Sequence, residues 1–312
     1  MNRRRFLAIG AGAFGVAAAG GLYAWQIEPF WPELVRRPMP LADLPPSLVG
    51  KTLLQISDIH VGPRVSSDYL IRSLTSAQAL EPDFVALTGD FVSFRSAHEL
   101  TELARVLRSM PHGRLGTVGS LGNHDYGRNW RSITVADDVS RVVTDAGMVM
   151  LRNDVRTIGG LQFAGLADFW SPEFGAGHGQ APVGTLLSPP SSPFLRAGTD
   201  AAAALRLLAP DRPTVILSHN PDAQDVPIWD GVRGWVLAGH THGGQVRAPF
   251  LPPPVLPVKN KRYTSGVFDV GPGRTLYINR GLGFLIQVRF AVRPELTLFT
   301  LARAVGRMTV RG

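Results

Sequence analysis

Residues 52–60 read TLLQISDIH, an apolar run that stops at Asp-x-His. The same shape returns at 84–90 (FVALTGD) and 116–125 (GTVGSLGNHD), each a short run closed by glycine, carboxylate, amide or imidazole. Short continuous runs, rather than alternating ones, suit strands buried on both faces. Helical spacing fills the intervals, at 67–80, 97–110 and 130–146. Strand, helix, strand in repetition predicts an α/β domain around a largely parallel sheet, and such sheets gather ligands beyond the carboxyl ends of their strands.

The second half continues the theme with fewer helices. Strands are expected at 161–166, 214–218, 234–238, 275–278 and 295–301, and a helix at 200–208, so part of this half reads as a second sheet with antiparallel pairs. Two strand ends again carry chemistry, Ser218-His219-Asn220 and GHTHGGQ at 239–245. Two long loops, 171–198 and 248–266, are rich in Gly, Pro and Ser or in proline beside Lys259, Lys261 and Arg262. Loops of that length in a compact domain are usually functional or disordered.

Singly, each polar strand end has an ordinary explanation: Asp caps the next helix, and Asn and Gly make turns. Five together call for a common one. Asp58, His60, Asp90, Asn123, His219, His240 and His242 offer carboxylate, imidazole and amide oxygen, the donor set of a two-metal site for divalent or trivalent Mn, Fe or Zn. Asp90, in the middle of the set, is the natural bridging carboxylate. The 312 residues contain no cysteine, which removes disulfides, thiolate nucleophiles and cysteine-bound metals.

D-x-H, GD, GNHD, a separate His and GHTH, in that order, resemble the motif series of the calcineurin-like metallophosphoesterases, from Thr52 to Leu301. NRGLG at 279–283 and RPELTL at 293–298 resemble the exported or membrane-associated bacterial phosphodiesterases related to UDP-2,3-diacylglucosamine hydrolases. The resemblance implies a four-layer αββα sandwich, two mixed β-sheets flanked by helices. It also implies that Asp58, His60 and His242 hold one metal and Asn123, His219 and His240 the other, with Asp90 shared. His124 is then the expected general acid, oriented by Asp125 as a carboxylate behind an imidazole. Gln245 and Arg280 are weaker candidates for contacting substrate phosphate, Asn220 and Asp222 are expected to shape a loop, and His98, His112 and His178 fall outside the motifs.

The expected function is a binuclear metal-dependent phosphohydrolase, a phosphodiesterase or pyrophosphatase of an envelope lipid or glycolipid, in which metal-bridged hydroxide attacks phosphorus. A phosphomonoesterase or nucleotide phosphodiesterase of the same fold is one alternative. An envelope-binding protein with structural metals is another.

The first 25 residues place Arg3, Arg4 and Arg5 before an apolar Ala/Gly-rich run with no acidic residue until Glu28. Asn2-Arg3-Arg4-Arg5-Phe6-Leu7 resembles the twin-arginine export signal, with Ala8 replacing the usual lysine. An ordinary secretory signal is the alternative. Ala17-Ala18-Ala19 offers a cleavage site, while 6–25 has about the ~20 residues that span a bilayer, so residues 1–25 read as a cleaved signal or an inner-membrane anchor. Residues 26–50 read as a proline-rich linker and 51–305 as the phosphoesterase domain. These expectations make the twin-arginine translocase a partner and the location periplasmic or otherwise extracytoplasmic. The net charge of +8 favours an anionic envelope or membrane surface, whereas the scattered arginines argue against nucleic acid.

Overall fold

Each apolar run quoted above is a strand in the computed structural model, which describes residues 3–175, 200–248 and 250–304. A helix α1 (Arg3–Gln26) precedes β1 (Glu33–Leu41). The repeating half follows: β2 (Thr52–Ile56), α2 (Ser67–Gln78), β3 (Phe84–Thr88), α3 (His98–Leu107), β4 (Gly116–Ser120), α4 (Ile133–Asp145) and β5 (Val149–Met150). The second half contains β6 (Asp154–Ile158), β7 (Leu161–Gly165), α5 (Ala201–Leu205), β8 (Thr214–Leu217), β9 (Gly234–Ala238), β10 (Gly266–Asp269), β11 (Arg274–Ile278) and β12 (Glu295–Arg303).

Two six-stranded mixed sheets result, in the orders β1-β12-β2-β3-β4-β5 and β10-β11-β9-β8-β7-β6. In the first, β2, β3, β4 and β5 run parallel and β12 is antiparallel to β2. In the second, β7, β8, β9 and β11 run parallel, flanked by antiparallel β6 and β10. The sheets face each other through Leu53, Phe84, Phe163, Val215, Leu237 and Phe299. Fully burying a side chain of this kind contributes about 1.5–3 kcal/mol. Helices α2, α3 and α4 cover the outer face of the first sheet with Leu70, Leu74, Leu103, Val106 and Val139. Ala201 and Leu205 of α5, with Phe169, Phe174 and Trp229, cover the second. The architecture is the expected αββα sandwich, with a short helix in its fourth layer.

The segment 26–50 corrects the linker reading. Its middle is β1, which pairs in parallel with β12 over nine residues, Glu33 opposite Glu295 to Leu41 opposite Arg303. Phe30 packs edge-on against Tyr69 and Phe284, and buried Glu28 accepts the backbone N–H groups of Ala291 and Val292. Pro38, Pro40, Arg36 and Arg37, which look like breakers, suit a strand at a sheet edge, where missing donors and charge discourage further pairing.

The side chains of Arg3, Arg5 to Ile9 and Ala13 lie outside the described residues, and among the described residues no helix is long and apolar enough to cross a membrane. Most of the 171–198 loop, including His178, is likewise outside them.

Candidate functional site

The parallel strands β2, β3 and β4 of one sheet and β7, β8 and β9 of the other all end at one edge of the sandwich. Gln55 ties the two sheets there, its amide donating to Thr88 Oγ1 at 3.0 Å and Ala238 O at 2.9 Å. Asp58, His60, Asp90, Asn123, His219, His240 and His242 all sit in loops leaving this edge, and all are buried. Their side chains form two clusters, Asp58–His60–His242 and Asp90–His219–His240, each close enough to hold one ion.

The clusters adjoin through Asp90. Its Oδ2 lies 3.5 Å from His60 Nε2 and 3.2 Å from His219 Nε2, while its Oδ1 accepts the backbone N–H of His124 at 2.9 Å. His60 Nε2 and His242 Nε2 are 3.1 Å apart, and Asp58 Oδ1 is 3.4 Å from the latter. Other hydrogen bonds set the tautomers. His219 Nδ1 donates to Thr88 O at 2.7 Å and His240 Nε2 to Pro257 O at 2.8 Å, leaving one lone pair of each ring facing the cluster.

The donor set fits metal ions on two further counts. Asn123 Oδ1 is buried without a hydrogen-bond partner, a cost that a cation would offset. Burial pushes the pKa values of His60 and His240 down to about 3, so both rings are neutral ligands at neutral pH. Burial raises that of Asp58 to about 6, against the opposing pull of His219 and of the hydrogen bonds from Ser57 and His240.

The backbone is strained here. Asp58, His60, Asp90, His240 and His242 all have φ between 47° and 69°. This left-handed region costs a non-glycine residue about 1–2 kcal/mol. Close approach explains two glycines: a Cβ on Gly239 would stand 2.0 Å from Ser57 Oγ, and one on Gly122 2.3 Å from Asp90 Oδ1.

A model of the calcineurin-like phosphoesterases matches residues 51–244. The chain belongs to that family. It is 29% identical to the metallophosphoesterase YkuE of Bacillus subtilis over 96% of this chain and 98% of that one. It is 28% identical to the phosphodiesterase YaeI of Escherichia coli, over 96% and 99%. The UDP-2,3-diacylglucosamine pyrophosphatase LpxG of Chlamydia trachomatis is 27% identical, over 80% and 83%. Members of the family use divalent metals, and this chain is a hydrolase of phosphoric esters.

His124 is partly exposed beside the first cluster, its ring 5.1 Å from that of His60. Asp125 does not orient it. Asp125 Oδ2 accepts the backbone N–H groups of Gly122 (2.8 Å) and Asp90 (2.9 Å), and Oδ1 those of Phe91 (2.8 Å) and Val92 (3.1 Å). Its carboxylate is thereby spent on holding the Asp90 loop against the Asn123 loop. Two further expectations change. Gln245 donates to Ile286 O and Val288 O, each at 2.7 Å, and accepts from Leu285 N. Arg280 is ion-paired to Glu295 and Glu33. Both bind the fold together instead of reaching toward a substrate. Asn220 accepts from Asp222 N, and Asp222 accepts from Lys259 N and Asn260 N, the loop-shaping contacts expected of them. His98 and His112 are exposed.

Three contributors escaped the sequence reading. Arg289 is fully buried behind His242, with Nη2 3.4 Å from His242 Nδ1 and donating to the carbonyls of Arg280, Gly281 and Gly283. Burial pushes its pKa down to about 10. Asp168 ends β7 as Asp58 ends β2, and strand-end spacing could have flagged it. Its Oδ1 accepts Trp170 N at 2.8 Å, its Oδ2 is buried without a partner, and burial raises its pKa to about 7.

The third is a tryptophan pair, which no local pattern signals. Trp130 and Trp170 stack at 4.8 Å, Trp130 standing 6.1 Å from His124 and Trp170 4.6 Å edge-on from His240. They wall the site with half-buried aromatic surface. Trp130→Ala is expected to raise KM for bis(p-nitrophenyl) phosphate roughly three- to tenfold, the loss of one aromatic contact. Unchanged metal content by elemental analysis, with unchanged KM, would remove the pair from substrate binding.

Proposed function

We propose that the protein is a two-metal phosphodiesterase or pyrophosphatase acting on an envelope lipid or glycolipid. The observation that supports this most is the position of Asp90, one oxygen of which lies between His60 of one cluster and His219 of the other. Asp58, His60 and His242 would hold one ion, Asn123, His219 and His240 the second, and Asp90 both. Two such ions, when bound, supply a water of lowered pKa as nucleophile and neutralise the phosphoryl oxygens.

The chain's own residues do the rest. Arg289 holds the His242 loop through three carbonyls, Asp125 holds the Asp90 and Asn123 loops, and Trp130 and Trp170 shield one side from water. His124 is placed to give a proton to the departing oxygen, because it alone among the motif histidines is partly exposed. The relatives named for phosphodiester and UDP-2,3-diacylglucosamine pyrophosphate cleavage, together with the +8 charge, support a lipid-borne substrate. The twin-arginine-like Asn2 to Leu7 and the apolar helix behind it support export to, or anchorage at, the outer face of the inner membrane.

Purified protein supplied with Mn or Zn is expected to hydrolyse bis(p-nitrophenyl) phosphate. Turnover of p-nitrophenyl phosphate alone would make it a monoesterase, and no turnover of any ester with any metal would return it to a binding role. His124→Ala is expected to keep both metals and to slow substrates with poor leaving groups by about 10²–10⁴-fold, p-nitrophenolate esters far less. Equal slowing of both would take the acid role from His124.

A further inference from the structure

An exposed apolar rim adjoins the metal loops. Val246 bridges to Phe290, Phe290 N donates to Gln245 O, and Arg247 N to Phe290 O, so the strip after His242 is stitched to residues 286–290. On one side of this seam the loop after Ala248 lifts Phe250 and Val255 into solvent, Val255 being 71% exposed. That loop lies close, since a Cβ on Gly244 would stand 2.3 Å from Pro253. On the other side Ile286 is 66% exposed. The end of α1 continues the surface. Arg289 N donates to Ala24 O and Gln287 Nε2 to Trp25 O, which brings the half-exposed Trp25 alongside residues 286–289, with the half-exposed Ile27 following it in the chain and Trp31 packed under Arg293.

We propose that this rim is a membrane-docking face, which seats on an anionic phospholipid bilayer with the metal loops turned toward the headgroups. The proposal rests on the phosphoesterase reading of the site and supplies it with a route for lipid-borne esters. Soluble monomers rarely leave apolar residues so close together in water. Continuity with α1 selects a bilayer as the occupant. The helix leaves directly from this face, exposes Phe14, Val16 and Leu22, and contains no acidic residue. Tryptophans at its base and the exposed Arg64 and Arg247 beside Ile286 and Phe290 give the mixture of aromatic, aliphatic and basic groups that lies in a headgroup layer.

The absence of cysteine makes the test direct, because an introduced thiol is the sole one. Full-length Phe250→Cys, Ile286→Cys and Val149→Cys, the last on β5 at the opposite edge of the first sheet from β1, are labelled with a polarity-sensitive fluorophore. Vesicles of phosphatidylethanolamine and phosphatidylglycerol carrying doxyl-labelled lipid are the probe. Labels at 250 and 286 are expected to brighten severalfold in unquenched vesicles and to be quenched by the doxyl groups, and the label at 149 to do neither. Failure of the chain to sediment with vesicles, labels at 250 and 286 that stay aqueous, or an equal response at 149 would each overturn the proposal. Hydrolysis of bis(p-nitrophenyl) phosphate in the same samples separates the two readings. Intact hydrolysis with aqueous labels refutes the face alone, and lipid-buried labels without hydrolysis refute the activity and leave the face standing.

Discussion

Asp90→Asn is expected to abolish hydrolysis, lowering kcat by about a thousandfold or more, about 4 kcal/mol of barrier at 1.36 kcal/mol per decade. The substitution keeps the side chain's size and leaves an acceptor for His124 N. It removes the negative charge from the oxygen that lies 3.2 Å from His219 and 3.5 Å from His60. Two cations held a few ångströms apart repel, and a shared carboxylate is what offsets that repulsion. Bound metal, measured by elemental analysis, should therefore fall from two ions per chain to one or none while the circular dichroism spectrum is unchanged. Two retained metals and more than a tenth of the activity would place the bridge elsewhere.

Asp125→Ala is expected to be the most damaging single change to stability near the site. Four buried backbone N–H groups, from Gly122, Asp90, Phe91 and Val92, lose their acceptor at once. An unsatisfied buried donor costs about 1–3 kcal/mol. Even with water entering the gap, a loss of about 4 kcal/mol is expected, lowering Tm by roughly 10 °C. Metal affinity should fall with it, since Asp90 and Asn123 are carried by the loops that separate. If Asp125 instead served His124, Tm would stay constant and only turnover would drop, so calorimetry beside kinetics decides between the roles.

The candidate ligands were legible because their signal is local: each stands within four residues of the end of an apolar run, and a strand end is where an α/β sheet exposes side chains to a ligand. The parallel core of the first sheet was legible for the same reason, whereas the second half, read as a sheet with antiparallel pairs, is parallel through β7, β8, β9 and β11 and antiparallel only at its two edges. What was not legible depends on partners distant in the chain. Pro38 and Pro40 read as breakers until β12 is seen beside them, and Arg293 reaches Trp31 across 262 positions. Asp125 resembles a helper of its neighbour His124, yet its partners lie mostly in the loop after β3. Arg280 and Gln245 carry groups that suit phosphate, but Glu33, Glu295 and three backbone groups of 285–288 claim them first. Left-handed φ at five ligand residues leaves no mark in sequence either, because Asp and His are acceptable there without being required.

The placement of β12 between β1 and β2 governs the timing of assembly. The first strand of the domain can pair only with the last, so the first sheet stays open until the ribosome has delivered Arg303. Until then β2 presents a bare edge, and Glu28 lacks the amides of Ala291 and Val292 that fix the base of α1. Contacts this distant close slowly and after synthesis. A translocation route that threads nascent chains would therefore meet an unfinished sandwich, whereas one that accepts folded cargo must wait until β12 has been made.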